Sequence, residues 1–153
     1  MIKPIKKTFP DRASIDFVAN LLDPYDAVNT GVSEYADLPG DRNQRELFLR
    51  LHVYLVEDKN FTRMKINASE LVTALSTNRT YLFEAVKAVT GKTLQQYINH
   101  LRQEEARQLL ETTDELIEAI AAICGYNSVR TFYRLFRQTY HMSPAVYRKT
   151  VSE

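Results

Sequence analysis

The chain has 153 residues with 20 Lys and Arg against 19 Asp and Glu, so its formal net charge is +1 and any affinity for a polyanion must come from where the cations sit. The length can bury the core of one domain, with or without an extension, and the single Cys124 excludes an internal disulfide or a cysteine pair for zinc. No apolar run reaches bilayer-spanning length and residues 1–10 lack the hydrophobic segment of a signal peptide, so the expectation is a cytoplasmic chain with no membrane contact.

Residues 1–10, with Lys3, Lys6, Lys7 and two prolines, read as a flexible basic arm. Ile15, Val18, Ala19 and Leu22 recur at i, i+3, i+4 and i+7 behind Ser14 and predict a short amphipathic helix that ends before Pro24. Residues 23–42 carry Pro24, Gly31, Pro39 and Gly40, a linker composition. Across residues 1–45 there are seven acids and six bases, so this N-terminal extension adds nothing to polyanion binding.

Leu47, Leu51, Tyr54 and Leu55 then predict a packing helix that runs to about Asp58. Ser69 is expected to cap a short helix bearing Leu71, Val72 and Leu75. After a turn at Ser76-Thr77, Asn78 is expected to cap a longer helix bearing Leu82, Val86 and Val89 that stops at Gly91. That is a first helix-turn-helix, at about 69–91. A linker helix follows at about 94–111. Its core of 17 residues, Leu94 to Leu110, would be about 26 Å long, against about 34 Å for one turn of B-DNA. Arg102 on this helix reads as a member of a structural ion pair.

The second helix-turn-helix falls at about 115–140. Leu116, Ile117, Ile120, Ala121 and Ile123 repeat at helical spacing, Cys124 and Gly125 close the run, and Phe132, Leu135 and Phe136 form a new stripe after Ser128. Arg130, Arg134 and Arg137, at i, i+4 and i+7, share the other face of that last helix. Between Ala119 and Ser152 there is no Asp or Glu, against Arg130, Arg134, Arg137, Arg148 and Lys149, a distribution that suits a polyanion. Ser143 and Pro144 predict the cap and first position of a final, bracing helix. The two units also repeat. A shift of 49 positions puts Leu71 on Ile120, Leu75 on Cys124 and Ser76 on Gly125, and beyond the turn a shift of 50 puts Leu82 on Phe132, Val86 on Phe136 and Lys87 on Arg137.

The succession Ile120-Ala121, Gly125-Tyr126, Phe132, Phe136-Arg137, Ser143-Pro144 and Tyr147-Arg148 closely resembles the signature that ends the DNA-binding domain of the AraC/XylS transcription regulators, and the resemblance reaches upstream to about Leu47. It implies an all-α domain at 46–150 of about seven helices, in which two helix-turn-helix subdomains are joined by the linker helix. It further implies sequence-specific double-stranded DNA binding at two adjacent major grooves by a transcription regulator, most often an activator, with RNA polymerase as a further partner and no cofactor. The extension is too short for the sensor or dimerisation region usual in the family, so the expectation is either a stand-alone regulator or the output part of a larger architecture. This chain departs from the family pattern at Ser76, where a turn glycine is usual, and at Glu84, where a basic or polar residue is common.

The site residues expected on the second reading helix are Val129, Arg130, Tyr133, Arg134 and Arg137. Arginine can bond O6 and N7 of guanine in bidentate fashion, Val129 can meet a thymine methyl, and the Tyr133 hydroxyl can reach a phosphate. Arg79, Thr80, Phe83, Glu84 and Lys87 hold the corresponding places on the first. Asn78, Lys92 and Thr93 are either phosphate donors or capping and turn residues. His52, His100 and His141 have no local partners that resemble a metal or triad motif, and four scattered glycines make no phosphate loop, so no enzyme is expected. The rival class is a helical protein-interaction module that uses residues 15–22 and the Phe83, Glu84 face.

Overall fold

The computed structural model describes residues 38–152. The expected arm, the helix at 15–22 and most of the linker lie outside the described residues. Among those described, the regular structure is wholly helical, as expected. Seven α-helices follow one another as α1 (Arg42–Val56), α2 (Ala68–Ala74), α3 (Arg79–Thr90), α4 (Leu94–Thr112), α5 (Ile117–Ile123), α6 (Val129–Tyr140) and α7 (Pro144–Ser152), with a 3-10 segment at Glu57–Thr62. They form two compact units. The first takes the described residues up to Asn60 together with Ile66–Tyr97, and the second takes Phe61–Lys65 together with the chain from Ile98 onward.

In the first unit α1 starts at Arg42, well ahead of the apolar stripe at Leu47, because Asp41 and Gln44 cap it reciprocally. The Asp41 carboxylate accepts from the Gln44 amide at 2.8 Å and the Gln44 side chain accepts from the Asp41 amide at 2.9 Å. Phe48, Leu51 and Leu55 of α1 are fully buried, as are Leu71 of α2 and Leu82, Ala85 and Val86 of α3. The cap of α2 is Asn67, which accepts from the Glu70 amide at 3.0 Å, and not Ser69, which lies inside the helix. Asn78 caps α3 and Gly91 ends it with φ 71°, both as expected. Ser76 holds φ 52°, a left-handed turn that strains an L-residue by on the order of 1 kcal/mol.

His52 is fully buried in this unit. Its Nδ1 is hydrogen-bonded to the Tyr97 hydroxyl, its Nε2 meets no partner among the described residues, and burial lowers its pKa to about 4. The folded state therefore keeps the ring neutral while the unfolded chain protonates it near pH 6.5. A depressed histidine contributes stability that is whole above about 6.5 and is lost as pH falls towards 4. From pH 7 to pH 5 we expect a loss of about 2 kcal/mol in urea melts, most of which is absent in His52→Gln. Equal pH slopes for the two proteins would contradict this.

The second unit packs Ala106, Leu110, Ile120, Ala121, Cys124, Tyr126, Phe132 and Phe136 into one core. The apolar stripe expected on α5 is only partly inward. Ile120 and Ala121 are buried, but Leu116 and Ile123 are 71% and 49% exposed, since periodicity marks a helix without saying how much of its apolar arc meets the core. Arg102 is structural but makes no ion pair of the kind expected among the described residues. Its guanidinium donates to the carbonyls of Phe61 at 2.8 Å and Arg63 at 3.0 Å, with the Tyr126 ring 5.8 Å away, and burial holds its pKa below the usual arginine value. The Gly125 backbone lies against the same segment. A Cβ there would stand 2.4 Å from the Thr62 carbonyl oxygen, and φ is +96°.

Candidate nucleic-acid interface

α6 is built by a cap, a stripe and a stop. Ser128 accepts from the Thr131 amide at 3.1 Å, which fixes the first turn, and His141 ends the helix in a left-handed conformation at φ 62°. Phe132 and Phe136 are fully buried and meet edge to face at 5.7 Å between ring centroids. Tyr140 and Tyr147 pack on Phe136 at 4.6 and 5.6 Å. With that face locked inward, the 100° step of the helix turns Arg130, Arg134 and Arg137 to the other side. All three are exposed, and none makes a hydrogen bond or ion pair through its guanidinium among the described residues. Val129 and Tyr133, at the border of this face, are half-buried and packed against the core, so only part of each remains for a ligand. Gln138, one turn beyond Arg134, extends the exposed polar face without carrying the charge that marks the arginines in the sequence.

The last helix braces α6 from behind. The Tyr147 hydroxyl bonds to Glu111, Arg107 bridges Glu111 at 2.7 Å and Glu104 at 3.1 Å, and Tyr140 donates to Glu104 at 2.6 Å. The bond from Tyr147, followed by the Arg107 cation, holds the Glu111 carboxyl below its usual pKa. Arg148, one of the five cations of the acid-free stretch, does not join the arginine face of α6. Its guanidinium instead faces three backbone carbonyls, Leu110 at 3.4 Å, Thr113 at 3.2 Å and Glu115 at 2.7 Å, which anchors α7 and takes that charge away from the outer face.

On α3, Thr80, Phe83 and Glu84 are exposed, Phe83 by 43%, while Leu82, Ala85 and Val86 are buried. The two cations of this helix are occupied. Arg79 donates to the Ser69 hydroxyl at 2.9 Å and Lys87 to the Gly91 carbonyl at 2.9 Å. Of the three residues with alternative roles, Asn78 and Thr93 are capping residues. Asn78 accepts from the Tyr81 amide at 2.9 Å, and Thr93 exchanges bonds with Gln96 at 2.9 and 3.2 Å. The Lys92 amide bonds to the Thr90 hydroxyl at 3.0 Å.

A family model described as a helix-turn-helix domain matches residues 71–150. The xylose operon regulatory protein of Haemophilus influenzae is 33% identical over 84 residues, which are 55% of this chain and 22% of that protein. The C-terminal domain of the two-component response regulator yesN from Fusobacterium nucleatum superposes with a TM-score of 0.58 at 25% identity, over 71% of this chain and 99% of that domain. A Chromobacterium violaceum regulator described as AraC-type has the same fold, with a TM-score of 0.64 at 22% identity over 74% of this chain and 98% of that one.

The chain belongs to the AraC/XylS family. Its relatives are transcription regulators, and it spans between 22% and 33% of the length of the first curated relatives it matches. Against the AraC/XylS pattern the two units differ in a way that has physical content. The second keeps the turn glycine, which Thr62 makes obligatory, and an arginine face that is unpaired among the described residues. The first has Ser76 at a strained turn, with Glu84 at the place where α6 carries Arg134.

Proposed function

We propose that this chain binds double-stranded DNA in a sequence-specific way and regulates transcription through it. The supporting observation is the face of α6, where three arginines lie exposed, and unpaired among the described residues, within an acid-free stretch directly behind a buried aromatic stripe. Like charges one turn apart destabilise a helix by about 0.2–0.5 kcal/mol per pair, and a phosphodiester partner removes that penalty. Arg130, Arg134 and Arg137 suit guanine edges and phosphates, with Val129 and Tyr133 at the border of the contact. Arg79, Thr80, Phe83, Glu84 and Lys87 of α3 form the second contact, so that the domain at 46–150 reads two adjacent major grooves while 1–45 remains an extension. An activator role, RNA polymerase as second partner, a cytoplasmic setting and the absence of catalysis rest on the family resemblance. No described helix is long and apolar enough to cross a membrane.

Selection from a random duplex library tests the proposal. A single recurring site with two separate blocks of preferred bases is expected. Recovery of unrelated sequences only, or of none, would overturn it.

A further inference from the structure

α3 is the less basic of the two reading helices, and the chemistry of its exposed face differs in kind from that of α6. The shift of 50 positions that lays Leu82 on Phe132 also lays Thr80 on Arg130, Phe83 on Tyr133 and Glu84 on Arg134. The centre of the face is therefore a carboxylate where the repeat has a guanidinium. Glu84 is exposed and makes no side-chain hydrogen bond or ion pair among the described residues, although Lys87 lies at the favourable i+3 distance. The Lys87 ammonium is held by the Gly91 carbonyl instead, and the only other cation of α3, Arg79, is held by Ser69. Beside Glu84, Phe83 leaves 43% of its surface in water, a cost that packing inside the unit does not relieve.

We infer that α3 reads pyrimidines, with Glu84 accepting a hydrogen bond from the amino N4 of a cytosine and Phe83 resting on the C5 methyl of a nearby thymine. This rests on the proposal that the chain binds DNA, and it assigns the first unit a preference opposite in chemistry to the guanine-seeking arginines of α6. An ionised carboxylate only accepts, so in the major groove its partners are the amino groups of cytosine and adenine. Adenine sets its N7 acceptor beside that amino group and repels a second oxygen, which leaves cytosine as the better partner. The thymine methyl is the one apolar group on the same edge, and it is what an exposed phenyl ring can bury. Phosphate contact is excluded as the role of Glu84 by sign, since two anions repel.

The test uses the whole chain and the duplex it selects. Glu84→Ala is expected to lose about tenfold in discrimination at one C·G pair and to leave the other positions as they were. Replacing the adjoining thymine by deoxyuridine should weaken wild-type binding about fourfold, the worth of one buried methyl, and should not affect Phe83→Ala. Both side chains are exposed, so the core of the unit is untouched, and a urea melt that coincides with that of the wild type checks that each variant is folded. Two results overturn the inference while the DNA-binding proposal stands. In one, Glu84→Ala tightens binding to every duplex alike with cytosine discrimination unchanged. In the other, deoxyuridine has no effect on the wild type. A wild-type chain that selects no sequence overturns both.

Discussion

Replacing Arg130, Arg134 and Arg137 together by alanine is expected to weaken binding to the selected duplex by about 10²-fold or more, since each arginine that touches a base or phosphate contributes about 1–3 kcal/mol. The three guanidinium groups hold nothing else among the described residues, so folding should survive the change and melting temperature should not fall. The single variant Arg134→Ala separates two roles. A base contact shows as relaxed preference at one pair, while a phosphate contact shows as a uniform loss and a salt slope lower by about 1. Equilibrium binding across a panel of single-base variants reads both. Arg148→Ala provides the contrast. Its guanidinium faces the carbonyls of Leu110, Thr113 and Glu115, so its removal should act on stability before it acts on DNA.

Gly125→Ala is the substitution expected to damage the fold most. The left-handed φ of +96° alone costs an L-residue about 1–2 kcal/mol. The new Cβ would then stand 2.4 Å from the Thr62 oxygen and 2.8 Å from its carbonyl carbon, both backbone atoms that cannot swing aside as a side chain would. Relief requires the segment at Phe61–Lys65 to move, which stretches the bonds that Arg102 makes to Phe61 and Arg63. We expect a loss of at least about 3 kcal/mol in urea melts, with DNA binding lost in parallel. Wild-type stability in this variant would mean that Thr62 and Gly125 do not meet as described. The same substitution at Gly91, with φ 71° and a turn of ordinary form, should cost less.

What could be read from the sequence was what is local. The buried stripes at Leu82 and Val86 and at Phe132 and Phe136, the Asn78 cap and the Gly91 stop all depend on residues within a turn or two of each other, and so did the arginine face of α6. Caps offered more than one candidate. Asn67 and Ser69 are both good cap residues two positions apart, and the chain uses the first as the cap and the second to hold Arg79. α1 starts ahead of its apolar stripe, and the signal for that start is the Asp41 and Gln44 capping pair, not hydrophobic spacing. Long-range pairings left no trace in the pattern. Arg102 reaches a carbonyl 41 residues away and Arg148 one 38 residues away, and a backbone acceptor has no side chain to announce it. The exposed Leu116 and Ile123 show the converse limit, since apolar spacing identifies a helix but the width of its buried arc is set by neighbours.

The most direct measurement is the affinity of the wild-type chain for its selected duplex at 50 and at 200 mM salt. With about six phosphate contacts the affinity is expected to fall by about 10³-fold across that range. An affinity that stays level, or a duplex bound no better than a scrambled one at either salt, would contradict the account.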